Sequence, residues 1–193
     1  MINKEELRNK AKNIRKNLPI KEISSNIVNR IKNSDLYSVS DNIMLFYPLK
    51  NEIDLLELLN DKTKKFYLPR VNQSELEVCP YKRGDNLEKS VQGVMEPLSQ
   101  AVNKNILNLI FTPALYADKN GYRIGYGGGY YDRFLKDVTA VKVIVIPDVL
   151  YIDKLPSDDF DIRCDYIYTE KKKPPVKRLR NLVYYWLLSR LIV

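Results

Sequence analysis

DKNGYRIGYGGGYYDRFL, residues 118–135, holds five of the seven glycines in a chain of 193 residues. The run just before it, ILNLIFTP (106–113), is apolar and rich in strand formers, and YYDRFLK after it reads as a helix. Strand, glycine-rich loop and helix start, in that order, build an anion site. Glycine lets the backbone turn its N–H groups toward a ligand, and a helix N-terminus adds a positive dipole end. Phosphate is the natural guest. Arg123 can add a charge-assisted clamp, and Asp132 can hold a metal on the same phosphates. No Gly-Lys-Ser/Thr follows, so the loop is not a Walker motif, and its place in the chain is wrong for the dinucleotide fingerprint. The bland alternative is a glycine-rich turn that only packs tightly; the Arg, Tyr and Asp neighbours weigh against it.

Outward from the loop, short apolar runs recur at Ile43 to Tyr47, Phe66 to Leu68, Ile106 to Phe111 and Val141 to Ile146, with a weaker one at Asp165 to Tyr168. Several are nearly continuous, as in strands covered on both faces. Helical stretches are expected at 4–17, 20–33, 53–60 and about 129–137, the first with an Asn3/Glu6 capping pair and an apolar stripe of Leu7, Ala11, Ile14 and Leu18. This alternation predicts a single α/β domain with a mostly parallel central sheet. Segment 74–93 reads as a strand pair or loop.

Composition narrows the chemistry. Histidine is absent. That removes Ser-His-Asp hydrolysis, Cys-His proteolysis and His-based zinc sites, along with the usual base near neutral pH. Catalysis is left to carboxylates, Lys/Arg, Tyr, backbone amides and a metal. The net charge is +8, but residues 171–193 carry seven basic side chains and no acid, which leaves +1 for 1–170. Nucleic acid is therefore not an expected partner of the body. Two cysteines without metal spacing and an N-terminus lacking an apolar core point to a reducing, cytoplasmic setting. After Glu170, KKKPP breaks structure, and LVYYWLLSRLIV (182–193) is too short to span a bilayer. A docked C-terminal element is favoured there over an interfacial membrane anchor.

RIGYGGGYYDRFL resembles the signature of the 5-formyltetrahydrofolate cyclo-ligase family, also called methenyltetrahydrofolate synthetases. The resemblance covers about residues 3–170. KEELR (4–8), FYPLKNEID (46–54), LPRV (68–71), VMEP (94–97), TPALYADKNGYR (112–123) and DIRCDYIYTE (161–170) recur in the family's order. It implies a three-layer α/β sandwich of the CoA-transferase-like type, a cyclo-ligase domain over 1–170, and 171–193 as a tail outside the pattern. It also implies ATP and Mg²⁺, a folate substrate, and a monomer.

Carried over residue by residue, the resemblance assigns ATP to Lys4, Arg8, Arg123, Ile124, Gly125, Tyr126, Gly127, Gly128, Gly129, Tyr130 and Tyr131. It assigns substrate to Arg8, Leu49, Glu52, Asp54, Tyr126, Gly127, Gly128, Gly129 and Tyr130. Mg²⁺ falls to Asp132 and Asp165, and catalysis to Arg123, Tyr130 and Asp132. Two positions depart from the family pattern: Leu150 where a Gln is common, and Phe160 in place of the His of a His-Asp pair. They favour one alternative, a relative acting on another N-formyl or carbonyl compound; a second, a non-catalytic nucleotide-binding module using the basic tail, is disfavoured by the presence of Arg123, Asp132 and Asp165.

Overall fold

The structure is a computed structural model and describes residues 3–171. Helix α1 (Lys4–Arg15) starts at a reciprocal cap. Asn3 Oδ1 accepts the Glu6 N–H at 2.8 Å, and Glu6 Oε2 accepts the Asn3 N–H at 3.3 Å. Such a cap contributes about 1 kcal/mol. It also fixes the helix phase, so that Lys4, Arg8, Ala11 and Arg15 share one face. The buried residues of α1 are Leu7, Ala11 and Arg15; the expected apolar stripe thus gives way at its end to a buried arginine.

Helices α2 (Ile20–Lys32) and α3 (Asp35–Ser38) follow. The strands are β1 (Asn42–Met44), β2 (Lys65–Asn72), β3 (Glu75–Pro80), β4 (Leu87–Lys89), β5 (Met95–Pro97), β6 (Leu109–Pro113), β7 (Tyr116–Asp118), β8 (Arg123–Ile124), β9 (Val141–Val145), β10 (Tyr151–Ile152) and β11 (Tyr166–Tyr168), with helix α4 (Tyr130–Leu135) between β8 and β9. The main sheet runs β11-β9-β6-β1-β2-β3. Its first five strands are parallel neighbours, and β3 closes one edge antiparallel to β2. Strands β10, β7 and β8 form a second small sheet, and β4 pairs with β5.

Alternate residues of the parallel strands enter two separate cores. Met44, Tyr67, Ile110 and Ile144 face α1, α4 and the small sheet. Ile43, Phe66, Leu109, Phe111 and Val143 face α2, α3 and the turn at Leu56–Asn60. Two cores, one on each face of a mostly parallel sheet, make the three-layer α/β sandwich expected from the sequence. Each fully buried Ile, Leu or Phe contributes about 1.5–3 kcal/mol, so covering both faces stabilises short strands that would not persist alone.

Local differences have local causes. Residues 53–60 form a 3₁₀ turn over Leu56–Asn60 rather than a helix, with Asp54 Oδ1 accepting the Leu56 N–H at 2.8 Å. Ile106 ends another such turn, so β6 begins only at Leu109. The small sheet was not foreseen, because its strands are two or three residues long. Segment 74–93 does hold strands, but β3 pairs back to β2 and β4 pairs forward to β5. Among the described residues no helix is long and apolar enough to cross a membrane. The reading of the tail falls on 172–193, outside the described residues.

Candidate active site

A cavity of about 580 Å³ opens beyond the carboxyl ends of the parallel strands, where Phe46 and Tyr47 follow β1 and Pro113 ends β6. That end of an α/β sheet is where ligands bind. The glycine loop forms one wall. Gly127 and Gly129 sit at φ 107° and 68°, and the Gly127 Cα lies so close to Arg8 that a Cβ there would come within 3.5 Å of the guanidinium carbon. Arg8 Nε in turn donates to the Gly125 carbonyl at 3.0 Å, which ties α1 to the loop. Residues 126–128 are exposed toward the opening. Helix α4 has only six residues, so the loop amides rather than a long helix dipole supply the positive potential.

Arg123 is buried at 8% exposure. Its guanidinium donates to Asp132 Oδ1 at 2.9 Å and to the Ile162 carbonyl at 2.8 Å, and the Ile162 N–H also donates to Asp132 Oδ1 at 3.1 Å. Segment 158–164 is thereby stitched across the loop. Lys4 completes this side, with Nζ 2.7 Å from Asp158 Oδ2 and 2.5 Å from Asp161 Oδ2. Burial by itself would lower the Lys4 pKa; the hydrogen bonds to Asp158 and Asp161 outweigh it and hold it above the usual lysine value. The ammonium therefore stays charged across the physiological range, with a third N–H to offer. Phe160 lies at the mouth, 69% exposed, its ring centroid 5.5 Å from Lys4 Nζ.

The rest of the lining is largely apolar, with Phe46, Tyr47, Pro69, Val71, Leu76 and Val94, and it holds two further carboxylates, Glu52 and Glu96. Glu52 is 5% exposed, and its Oε2 accepts the Leu49 N–H at 2.7 Å. Its Oε1 has no hydrogen-bond partner, nor does the buried Tyr131 hydroxyl. Burial, then the Glu52 charge, raises the Tyr131 phenol well above its usual pKa, and the same two causes act on Tyr126. Both tyrosines are therefore neutral donors at any physiological pH.

The profile of the 5-formyltetrahydrofolate cyclo-ligase family matches residues 1–170. The chain belongs to this family. A 5-formyltetrahydrofolate cyclo-ligase from Haemophilus influenzae is 29% identical over 133 residues, spanning 63% of this chain and 71% of its own. Among solved structures, the NMR structure of Aquifex aeolicus 5,10-methenyltetrahydrofolate synthetase superposes with a TM-score of 0.81 at 33% identity, over 92% of this chain and 95% of that one. A 5,10-methenyltetrahydrofolate synthetase from Mycoplasma pneumoniae gives 0.72 over 88% and 100% of the two chains; at 21% identity it speaks for the fold.

Within this family cavity stand Lys4, Arg8, Leu49, Glu52 and the whole run Arg123–Asp132. Two assigned residues are elsewhere. Asp54 is exposed and caps the 3₁₀ turn. Asp165 precedes β11 and pairs with the start of β9: its Oδ2 accepts the Lys142 N–H at 2.7 Å and its own N–H donates to the Lys142 carbonyl at 2.8 Å. That is the amino end of the sheet, opposite the cavity. Asp161, four residues earlier, lines the cavity instead. Both aspartates lie in DIRCDYIYTE, and only the chain's passage from the cavity mouth to the far end of the sheet separates them.

The cavity also takes in Gln92, Val94, Glu96, Asp158 and Phe160, which had no assigned role. Val94 and Glu96 belong to the VMEP motif, and Phe160 to the Phe160-Asp161 pair, so the sequence carried a local signal for these three. Leu150, the other departure from the family pattern, is fully buried in the core and does not line the cavity.

Burial raises the Asp165 carboxyl pKa above 3.8 against the opposing Lys142 hydrogen bond. A carboxylate whose folded pKa exceeds its unfolded one costs stability at neutral pH, and the cost vanishes below about 3.8. We expect Asp165→Asn to keep turnover within about twofold and not to lower the melting temperature at pH 7; any gain should shrink as pH falls toward 4. Loss of turnover at saturating metal would restore Asp165 to the site.

Proposed function

We propose that the chain converts 5-formyltetrahydrofolate and ATP to 5,10-methenyltetrahydrofolate, ADP and phosphate, with Mg²⁺ required. The observation that carries this reading is the convergence on one cavity of an exposed glycine loop, the Arg123–Asp132 pair and a buried carboxylate, Glu52, among apolar side chains. The loop and the ion pair suit a polyphosphate, and the carboxylate with its apolar neighbours suits a flat, hydrogen-bonding ring.

The donor set suits magnesium. Among the described residues no cluster of three or more metal-ligating side chains exists, so no all-protein cage is on offer. Mg²⁺ commonly uses one or two carboxylates together with substrate phosphates. Asp132 and Asp161 would supply these, and the ion, when bound, neutralises charge on phosphoryl oxygens. The loop amides of 125–129, Arg8 and the free N–H of Lys4 would hold the triphosphate. Glu52 Oε1 would accept N–H groups of the pterin ring, with Leu49 and Tyr126 beside it, and Tyr131 would donate to an oxygen.

In the reaction the N5-formyl oxygen attacks the γ-phosphoryl group, and ADP leaves. N10 then adds to the activated formyl carbon and gives up its proton, and the C–O bond breaks as phosphate departs. This needs positioning and charge neutralisation more than a neutral-pH base, so a site without histidine suffices. The same reading makes 1–170 the catalytic unit and leaves 171–193 outside it.

Purified protein mixed with 5-formyltetrahydrofolate, ATP and Mg²⁺ should develop the methenyl absorbance, and omission of either ATP or Mg²⁺ should abolish it. No absorbance gain in the complete mixture would overturn the assignment.

A further inference from the structure

We infer that Arg15 is a positioning residue for the substrate-facing carboxylate of Glu52: it joins Glu52, Tyr126 of the glycine loop and the strand end at Ala114 through one buried guanidinium. The inference rests on the reading of the cavity as a folate and ATP site, and adds to it a residue that lies behind the cavity wall.

Arg15 is the last residue of α1 and only 4% exposed. A buried arginine without partners is costly, and its contacts show what it is held for. Nη2 donates to the Ala114 carbonyl, just past β6. Nη1 donates to the Tyr126 hydroxyl at 3.3 Å and lies 3.9 Å from Glu52 Oε1. These three partners come from three separate parts of the chain, each leading into the cavity. Arg15 does not itself line the cavity.

The contact with Glu52 is too long for a full hydrogen bond. Glu52 Oε1, Arg15 Nε and the Tyr131 hydroxyl are all buried and unpartnered. Buried polar atoms normally find partners; of these three, Glu52 Oε1 and the Tyr131 hydroxyl belong to residues that line the cavity, and Arg15 stands behind them. The guanidinium lies beside the Glu52 carboxylate and helps to aim it, yet leaves Oε1 free to accept from substrate. Lys4 and Arg8 precede it on the same face of α1, so one helix serves both ends of the cavity.

The test is a double-mutant cycle on the full chain, read by steady-state kinetics with each substrate varied. Arg15→Met is expected to raise the folate KM by about 10–100-fold, while kcat and the ATP KM stay within about threefold. Arg15→Lys, which keeps the charge, should recover most of the loss. In the E52Q background, Arg15→Met should add less than about twofold, because residues acting through one another are not additive. Should Arg15→Met fail to fold, Arg15→Lys in both backgrounds carries the same cycle, with a few-fold rise in folate KM expected only where Glu52 is present. Equal losses in both backgrounds, or a loss spread evenly over kcat and both KM values, would overturn the inference. A wild-type enzyme that forms no methenyl product would instead overturn the reading of the site.

Discussion

Asp132→Asn should lower kcat by about 10²–10³-fold, the size of effect seen when a preorganised charge-stabilising group is removed. The substitution keeps the shape and an acceptor oxygen, so Arg123 and the Ile162 N–H retain a partner at Oδ1. What goes is the negative charge, and with it the ligand that the proposed function gives to a cation on the transferring phosphoryl group. The Arg123 side chain is 3% exposed and the Asp132 side chain 27%, so the guanidinium loses its countercharge in a partly shielded place. A stability loss of about 1–3 kcal/mol follows, which leaves the fold intact by circular dichroism. Turnover measured across a magnesium titration decides the matter: near-normal kcat at any magnesium concentration would remove Asp132 from the cation site.

Glu52→Gln should cut kcat/KM for the folate by about 10²–10³-fold and leave the ATP KM nearly unchanged. A site built to accept hydrogen bonds from a ring rejects ligands strongly once its acceptor is lost. The amide presents N–H groups where the ring also presents N–H groups, and it leaves the Arg15 guanidinium buried beside a neutral side chain. Glu52 meets the glycine loop at the Tyr126 side chain, beside Arg15, so the ATP KM should move far less than the folate KM. Substrate-velocity curves for each substrate in turn would show this; a rise in the ATP KM equal to that for the folate would mean that the cavity does not divide the substrates as proposed.

Both effects trace to residues that the sequence marked locally. The glycine loop was legible because every part of it is contiguous: the preceding strand former, the turns that need positive φ and the arginine and aspartate that flank them. The parallel sheet was legible because strands buried on both faces must be nearly all apolar. Helix α1 was legible down to its cap.

Much of the rest was decided by where the chain passes in space. Asp161 and Asp165 are four residues apart in one motif, yet one lines the cavity and the other pairs with Lys142 at the far end of the sheet. Asp54 reads as a neighbour of Glu52 and is spent on capping a turn. Nothing in the sequence singles out Arg15, and its burial follows from the packing of α1 against β7 and β8.

By itself, then, the sequence determined the layered α/β architecture, the glycine-rich loop between a strand and a helix, and the exclusion of histidine chemistry, since these depend on composition and on neighbours along the chain. The tertiary structure alone decided which carboxylates face the cavity, which guanidinium supports them from behind and which aspartate lies out of reach. Those choices rest on contacts between residues up to 157 positions apart, for which local propensity and spacing carry no signal.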